Sequence, residues 1–268
     1  PLSKGLIPST KKQSFLLRLL LFIRGNFFIP DARVLWVKPS IKFLSTYISK
    51  NQIDIIITTG PPHSLHLIGL GLKSKHSLKW FADFRDPWTA IGYHNQLKIS
   101  ESSQKKYLLL EGKVLKSSDH IIVTSKKTKQ LFSGLTKQPI SVISNGFDID
   151  YSSKTEIDSN FTMTHVGMLS TQRNPTILWK VLAELINELP NFKEKFMLVL
   201  VGNISIDVRD AINHYGLQPY LQDKGVVPHS LAVFHQKKSQ LLLLIEANTV
   251  AASYIIPAKL FEYLNSGR

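Results

Sequence analysis

The sequence predicts two α/β domains, each built on a parallel β-sheet. Short β-branched apolar runs alternate with helix-like stretches over residues 54–143, and this alternation is typical of parallel strands joined by crossover helices. A polar segment at residues 149–160 follows, and the alternation then begins again, which indicates a linker between two domains. We therefore predict an N-terminal domain over residues 1–150 and a C-terminal domain over residues 160–268.

In the first domain, the predicted strands are short apolar runs that stop at glycine, proline or charged residues, as buried parallel strands do. Ser64 is predicted to cap the helix that follows the first strand. That helix contains a Gly-Leu-Gly run, but a dinucleotide fingerprint would follow a strand directly, so this run is not interpreted as one. The predicted strands are 54–60, 80–84, 120–124 and 140–143, and the predicted helices are 64–72, 100–116 and 126–132.

The second domain repeats the same supersecondary unit. Its first two predicted strands end at glycines, Gly167 and Gly202, and its last predicted helix begins near Pro257, a residue favoured in the first turn of a helix. The predicted strands are 161–167, 196–202 and 241–245, and the predicted helices are 175–189, 208–215 and 257–264.

Composition excludes several classes of protein. The 268 residues include no cysteine, which rules out disulfide scaffolds, thiolate nucleophiles, Cys-ligated zinc and iron–sulfur clusters. Hydrophobic residues make up 43% and aromatic residues 10%, as expected of a globular chain. No apolar run approaches the roughly 20 residues that cross a bilayer. The sequence contains no Walker A, HExxH or GxSxG motif and no cluster of metal ligands.

Positive charge is concentrated near the N-terminus. Residues 1–50 hold nine Lys and Arg against Asp31 alone, a net +8 of the formal +14. Three interpretations stay open: a solvated basic face, an anionic membrane surface or lipid-linked acceptor, and nucleic acid. The sequence contains no recognisable nucleic-acid-binding module, so nucleic acid is not the expected partner.

Two loops of the first domain carry candidate functional residues. The loop with Pro62 and His63 lies at the carboxyl end of a predicted strand, where open parallel sheets bind ligands, although a plain turn before a helix explains it equally well. Asp83, Arg85 and Asp86 follow the next predicted strand. They are interpreted either as a structural ion pair or as polar groups that face a ligand.

Two segments of the second domain suggest an anion site. The loop from Gly167 to Arg173 leads from a strand into a helix, where backbone N–H groups and an arginine suit a phosphate. Lys259 and Glu262 are three residues apart and therefore share a helix face, although a solvated Lys–Glu pair explains that spacing without any function.

In this order and spacing, the segments resemble glycosyltransferase family 4, which has the GT-B fold of two Rossmann-like domains with parallel sheets facing across a cleft. Each match is weak alone, and their order makes the set specific. The matching segments are 55–64, 81–88, 142–148, 166–167 with 173–175, 200–202, 225–229 and 257–264.

The resemblance implies a transferase that moves a sugar from a nucleotide-diphospho-sugar to a glycan or lipid-linked acceptor, retaining and metal-independent, with no cofactor. Donor contacts fall on the second domain, and sugar-side or acceptor-side contacts on the first. By the resemblance, the donor-binding residues are Gly167, Arg173, Gly202, Val226, Lys259 and Glu262; the catalytic ones are Asp86, Arg85, Arg173 and Lys259; and the acceptor-side ones are Pro62, His63 and Asp83.

Two positions depart from the family pattern. Met168 stands where the family often has a basic residue, and Tyr254 stands where it commonly has the first of two glutamates eight positions apart. Truncation at both ends is expected. The alternative functions are a GT-B nucleotide-sugar epimerase and a non-catalytic nucleic-acid-binding protein. The expected location is cytoplasmic, peripheral on the inner face of the cytoplasmic membrane.

Overall fold

A computed structural model describes residues 15–90, 97–147 and 155–268. Within these ranges there are two four-stranded sheets whose strand pairs are all parallel, which confirms the predicted α/β class. The contacts divide the chain into two compact units, Pro1–Ser144 with Thr249–Ile256, and Asn145–Asn248 with Pro257–Arg268.

One segment of the chain is grouped differently from the sequence-based boundaries. Residues 249–256 fall within the predicted C-terminal domain, whereas the contacts place them in the first unit. The reason is a long-range contact: the hydroxyls of Ser125 and Thr128 donate to the Tyr254 carbonyl at 2.7 and 3.1 Å. A hydrogen-bond match of this kind leaves no pattern in the sequence around residue 254.

The first unit is a sheet of four strands in the order β1-β2-β3-β4 with helices between them. Consecutive strands are neighbours, as expected of crossover connections. Its helices and strands, in chain order, are α1 Phe15–Phe27, α2 Val37–Asn51, β1 Ile55–Gly60, α3 Ser64–Lys73, β2 Lys79–Phe84, α4 Glu101–Ser117, β3 His120–Val123, α5 Lys126–Ser133 and β4 Ile140–Val142.

Aromatic side chains dominate the core of the first unit. Trp80 and Phe84 of β2 are fully buried, as is Trp88 just beyond it. The Gly-Leu-Gly run of α3 serves this packing: a Cβ on Gly69 would meet the Trp80 indole at 2.5 Å, so the glycine lets the helix approach β2. A packing role fits the position of this run inside a helix.

The start of α3 differs from the prediction. Ser64 is the first residue of the helix, and His63 occupies the N-cap position without a side-chain hydrogen bond. The prediction that Ser64 caps this helix was therefore wrong. Instead, the carboxylate of Asp31, distant in sequence, accepts the Ser64 N–H at 2.8 Å. A long-range acceptor of this kind satisfies the same orphan donor that a local cap would satisfy.

The second unit has the sheet order β7-β6-β5-β8. β6 is apolar throughout and almost wholly buried, as expected of a central parallel strand covered on both faces. The elements, in chain order, are β5 Phe161–Val166, α6 Thr176–Glu188, α7 Pro190–Lys195, β6 Phe196–Val201, α8 Ile206–His214, β7 Leu221–Gly225, α9 His229–Lys238, β8 Leu241–Leu242 and α10 Ala258–Ser266.

Several helices and strands of the structure were not predicted from the sequence, or were predicted with the wrong length. α1 and α2 carry large apolar side chains on exposed faces, which hides a one-sided helical period. β7 is a polar edge strand, and α7 and α9 are short or weakly patterned. The predicted strand at 241–245 is shorter than expected because only Leu241 and Leu242 pair with β5.

Candidate functional site

Glycines end three neighbouring strands of the second unit. Gly167 and Gly202 have φ of +121° and +128°, a region that side-chain-bearing residues rarely adopt. The Gly167 N–H donates to Val201 O at 2.7 Å and the Gly202 N–H to Gly225 O at 2.7 Å. A Cβ on Gly202 would collide with the Gly167 backbone. The strand ends are therefore held close together at one edge of the sheet.

The loop that follows β5 is anchored to the loop that follows β6. Leu169 N–H donates to Asn203 O at 3.0 Å, and the Thr171 hydroxyl donates to the Asp207 carboxylate. The Asn174 side chain donates to Asp207 O at 3.2 Å and accepts from the Trp179 indole at 2.8 Å. These bonds set the direction from which Arg173, in a 3₁₀ turn at Thr171–Arg173, enters the site.

Lys259 lies beside Gly167 and interacts with a second cation, Arg173. A Cβ on Gly167 would lie 2.9 Å from Lys259 Nζ, so the ammonium sits directly over the glycine. Burial, followed by the charge of Arg173, lowers the pKa of Lys259, while Glu246 and Glu262 oppose that shift. The Arg173 guanidinium pairs with Glu246 at 2.9 Å. Two neighbouring cations at the end of a strand can bind an anion such as phosphate.

A buried histidine lies on β5, close to these two cations. His165 of β5 is fully buried, and its Nδ1 lies 2.9 Å from the Leu243 carbonyl. Burial, then the charge of Lys259, lowers the pKa of His165 to about 4. The imidazole is therefore neutral at physiological pH and adds no third positive charge beside Lys259 and Arg173.

Helix α10 carries Glu262, and its neighbour Tyr263 ties the helix to β5. The Glu262 carboxylate accepts from Gln236 Nε2 at 3.2 Å. Next to it, the Tyr263 hydroxyl accepts the Val166 N–H at 2.9 Å, and burial raises the pKa of Tyr263 to about 12. Val226, by contrast, is 82% exposed in the turn after β7. The structure thus brings Gly167, Arg173, Lys259 and Glu262 to one edge of the second unit.

The acidic candidates of the first unit lie at the carboxyl end of β2. Asp83 and Asp86 are half-buried, and Arg85 is exposed. Burial raises the pKa of both carboxyls, while the Arg85 charge partly offsets that rise. Asp86 and Arg85 stay predicted catalytic residues that contact the transferred sugar, and Asp83 stays a predicted acceptor-side residue.

His63 lies in the core of the first unit and is only 1% exposed. Its ring stacks on Trp88 with centroids 5.1 Å apart and planes at 2°. Pro62, before it, is half-buried. As placed, His63 supports the loop that carries Pro62, and its ring offers almost no surface to a ligand.

Sequence reasoning missed Glu111, a buried carboxylate that holds the loop after β2. It lies on α4, is 2% exposed, and accepts from the backbone N–H of Trp88 at 3.2 Å and of Thr89 at 3.1 Å, and from the Thr89 hydroxyl. Burial raises the pKa of Glu111, while these bonds oppose the rise. No local signal separates Glu111 from an ordinary helical glutamate, because the donors it satisfies are distant in sequence.

Glu246 was missed as well, although a signal was available. It is the first acidic residue after the predicted strand at 241–245, at the edge where parallel sheets bind ligands.

Within the described ranges, no group of three or more His, Asp or Glu could hold a metal ion.

The fold matches several solved structures, two of which contain UDP. HepE from Anabaena, solved in complex with UDP, is 16% identical with a TM-score of 0.62 over 86% of this chain and 62% of HepE. OtsA is 12% identical with a TM-score of 0.60 over 92% of this chain and 64% of OtsA. The pneumococcal O-GlcNAc transferase GtfA, solved with UDP and GlcNAc, is 14% identical with a TM-score of 0.50 over 84% of this chain and 43% of GtfA.

These similarities define the chain as a protein of the GT-B fold. A sequence profile described as Glycosyltransferase Family 4 matches residues 8–151, and the chain belongs to that family. It spans less than two thirds of the length of the solved structures named above. No curated protein sequence matches it significantly.

Proposed function

We propose that the chain acts in a glycosyltransferase that moves a sugar from a nucleotide-diphospho-sugar donor to a glycan or lipid-linked acceptor. One observation carries this proposal: Lys259 lies directly over the positive-φ Gly167 at the carboxyl edge of the second sheet, close enough to Arg173 for the two charges to interact. Ligands of open α/β sheets bind at that edge. UDP is the first donor nucleotide to test, because HepE and GtfA were solved with it.

The proposed chemistry follows from the charges. When the bond between the anomeric carbon and the diphosphate oxygen breaks, positive charge develops on the sugar and negative charge on the diphosphate. Fixed cations stabilise the departing diphosphate more in the transition state than in the ground state. We assign this role to Arg173 and Lys259, with Glu262 holding the ribose hydroxyls. No cofactor is needed for this transfer, and we propose that it is metal-independent and retaining.

Nucleotide binding tests the proposed donor site. UDP, GDP and ADP should be titrated calorimetrically without added metal, and one of them should bind saturably. Glu262→Ala should abolish that binding, and Arg173→Ala should weaken it. In an active full-length enzyme, Arg173→Ala should lose about 2–4 kcal/mol of transition-state stabilisation, as does removal of an oxyanion donor. Unchanged turnover would contradict the role of Arg173.

We further propose that helices α1 and α2 of the first unit contact an anionic membrane surface at the cytoplasmic face. Both helices expose large apolar side chains; Phe15 is 81% and Phe43 is 70% exposed. Basic residues lie beside them, and each Lys or Arg near an anionic surface contributes roughly 1 kcal/mol. Among the described residues, no helix is long and apolar enough to span a bilayer. The exposed basic residues of the two helices are Arg18, Arg24, Lys38, Lys42 and Lys50.

Vesicle sedimentation tests the membrane proposal. The chain should sediment with phosphatidylglycerol vesicles at low salt and not with phosphatidylcholine vesicles. Replacing Lys38, Lys42 and Lys50 with glutamine should reduce this binding about tenfold or more. The matched control replaces the exposed lysines of the second unit, Lys193, Lys195 and Lys224. Equal losses in both variants would indicate attraction to the net charge of the chain alone. That result, or tighter binding to RNA than to vesicles, would contradict the proposed membrane face.

A further inference from the structure

One of the two cations of the proposed diphosphate site, Arg173, already forms an ion pair with a carboxylate. Arg173 comes from the loop after β5 and Glu246 from the segment after β8, and their side-chain N and O atoms lie 2.9 Å apart. Both side chains are 31% exposed, so the pair is open to water and can exchange partners. The function outlined above leaves Glu246 without a role.

The charges around this pair are balanced. Lys259 is close enough to Arg173, Glu246 and Glu262 for all three charges to shift its pKa. The formal charges of these four side chains sum to zero (+2 − 2). A diphosphate carries several negative charges of its own, so in this site it meets two carboxylates as well as two cations.

Arg173 cannot serve both anions equally well. Glu246 Oε2 lies 2.9 Å from Arg173 Nη2, and this terminal nitrogen belongs to the fork of N–H donors with which a guanidinium binds a phosphate. A carboxylate that stays beside the bound diphosphate also repels it. A bound diphosphate and Glu246 would therefore compete for the same nitrogen of Arg173.

We propose that Glu246 is the resident counter-ion of Arg173, which the diphosphate must displace, and that Glu246 thereby sets the affinity for nucleoside diphosphates. This inference rests on the proposed function. The pair re-forms when the nucleoside diphosphate leaves, so Glu246 favours product release after each transfer. It is an affinity-determining residue for the donor, and no proton or bond is exchanged at its carboxylate.

A purely orienting role for Glu246 predicts the opposite effect of its removal. If Glu246 served to aim Arg173 at the diphosphate, neutralising it would weaken nucleotide binding. If Glu246 competes with the diphosphate, neutralising it frees the guanidinium and removes a repulsive charge, so binding becomes tighter. The sign of the change in affinity separates the two roles.

The test compares UDP binding by the wild-type chain, Glu246→Gln and Glu246→Ala, using calorimetry and stopped-flow dissociation. Both variants should bind UDP about tenfold tighter, as expected on losing one like charge near the ligand. UDP should also dissociate more slowly, and uridine, which has no phosphate, should bind unchanged. Glu184→Gln is the matched control, since Glu184 lies on α6 of the same unit, 53% exposed and paired with Lys180.

Unchanged or weaker UDP binding in folded Glu246→Gln and Glu246→Ala would overturn the inference and leave the donor site standing. An equal gain in Glu184→Gln would also overturn it, because the effect would then come from net charge alone. Failure of UDP, GDP and ADP to bind to any form would overturn the proposed donor site, and this inference with it.

Discussion

At the scale of single residues, the candidate site depends on how a few buried groups share charge. Lys259 is partly buried beside Arg173, and both of these conditions favour its neutral form. His165, beneath them, avoids further repulsion because its pKa of about 4 keeps it uncharged. The cost of placing two cations together is therefore limited by a neutral histidine and two carboxylates.

The lowered pKa of Lys259 predicts a pH dependence of nucleotide binding. A lysine with a lowered pKa loses its proton at a lower pH than usual, so UDP affinity should fall as the pH rises, and the fall should begin below the range in which an ordinary lysine titrates. Lys259→Gln should bind UDP about tenfold or more weakly at pH 7 and lose this dependence. Calorimetric titration at several pH values measures both effects.

The control for this experiment is Lys259→Arg, which stays charged throughout the pH range. It should remove most of the alkaline decline, and any decline that remains reports ionisation of the ligand. A decline of the same size in Lys259→Arg would show that Lys259 is not the titrating group.

At the scale of elements, helices α3 and α4 use glycine for different reasons. A Cβ on Gly69 of α3 would meet the Trp80 indole at 2.5 Å, whereas a Cβ on Gly112 of α4 would meet nothing within 4 Å. Gly69 is therefore needed for close packing of the helix on the sheet. Gly112 only loosens its helix, because glycine gains more backbone freedom than alanine on unfolding.

This contrast predicts opposite effects of one substitution at the two positions. Gly112→Ala should raise the free energy of unfolding of the first unit by about 0.5–1 kcal/mol. Gly69→Ala should lower it by about 1–3 kcal/mol through overpacking against Trp80. Urea unfolding monitored by tryptophan fluorescence measures both. A stabilised Gly69→Ala variant would contradict the packing role.

At the scale of the whole molecule, the described chain has two separate cores. One is built around Trp80, Phe84 and Phe132 in the first unit, the other around Trp179 and Leu198 in the second. The predicted donor contacts all belong to the second unit, whereas Asp83, Arg85 and Asp86 belong to the first. A nucleotide should therefore stabilise mainly the second core.

Hydrogen–deuterium exchange with and without UDP tests this expectation. At 100 times its dissociation constant, UDP should add about 2.7 kcal/mol to the opening free energy of the slowest amides of the second unit. We expect this protection in β5 and β6, whose ends carry the site glycines. Protection confined to β1 and β2 would place the nucleotide on the wrong unit and contradict the assignment of Gly167, Arg173 and Lys259.

The order of helices and strands was largely predictable because burial of a strand or helix leaves a pattern of apolar residues in its own sequence. Strands rich in apolar residues read as short apolar runs, and the strands from β1 to β6 were all placed within one residue at either end. β7 was missed because most of its residues are polar or glycine, and β8 was drawn too long because only Leu241 and Leu242 of the apolar run pair with β5. Helices α1 and α2 were missed because apolar side chains occupy their exposed faces.

By itself, the sequence determined the α/β class and the two sheets, because these depend on local periodicity. The order of its motifs also singled out Gly167, Arg173, Lys259 and Glu262 as donor contacts, and this assignment stays a prediction. The tertiary structure alone decided which charges meet. Arg173 pairs with Glu246, which is far away in the chain, and His63 is buried in the core by residues of other elements. Contacts between distant segments leave no pattern in the sequence around either residue. The electrostatic balance of the site therefore became visible only in three dimensions.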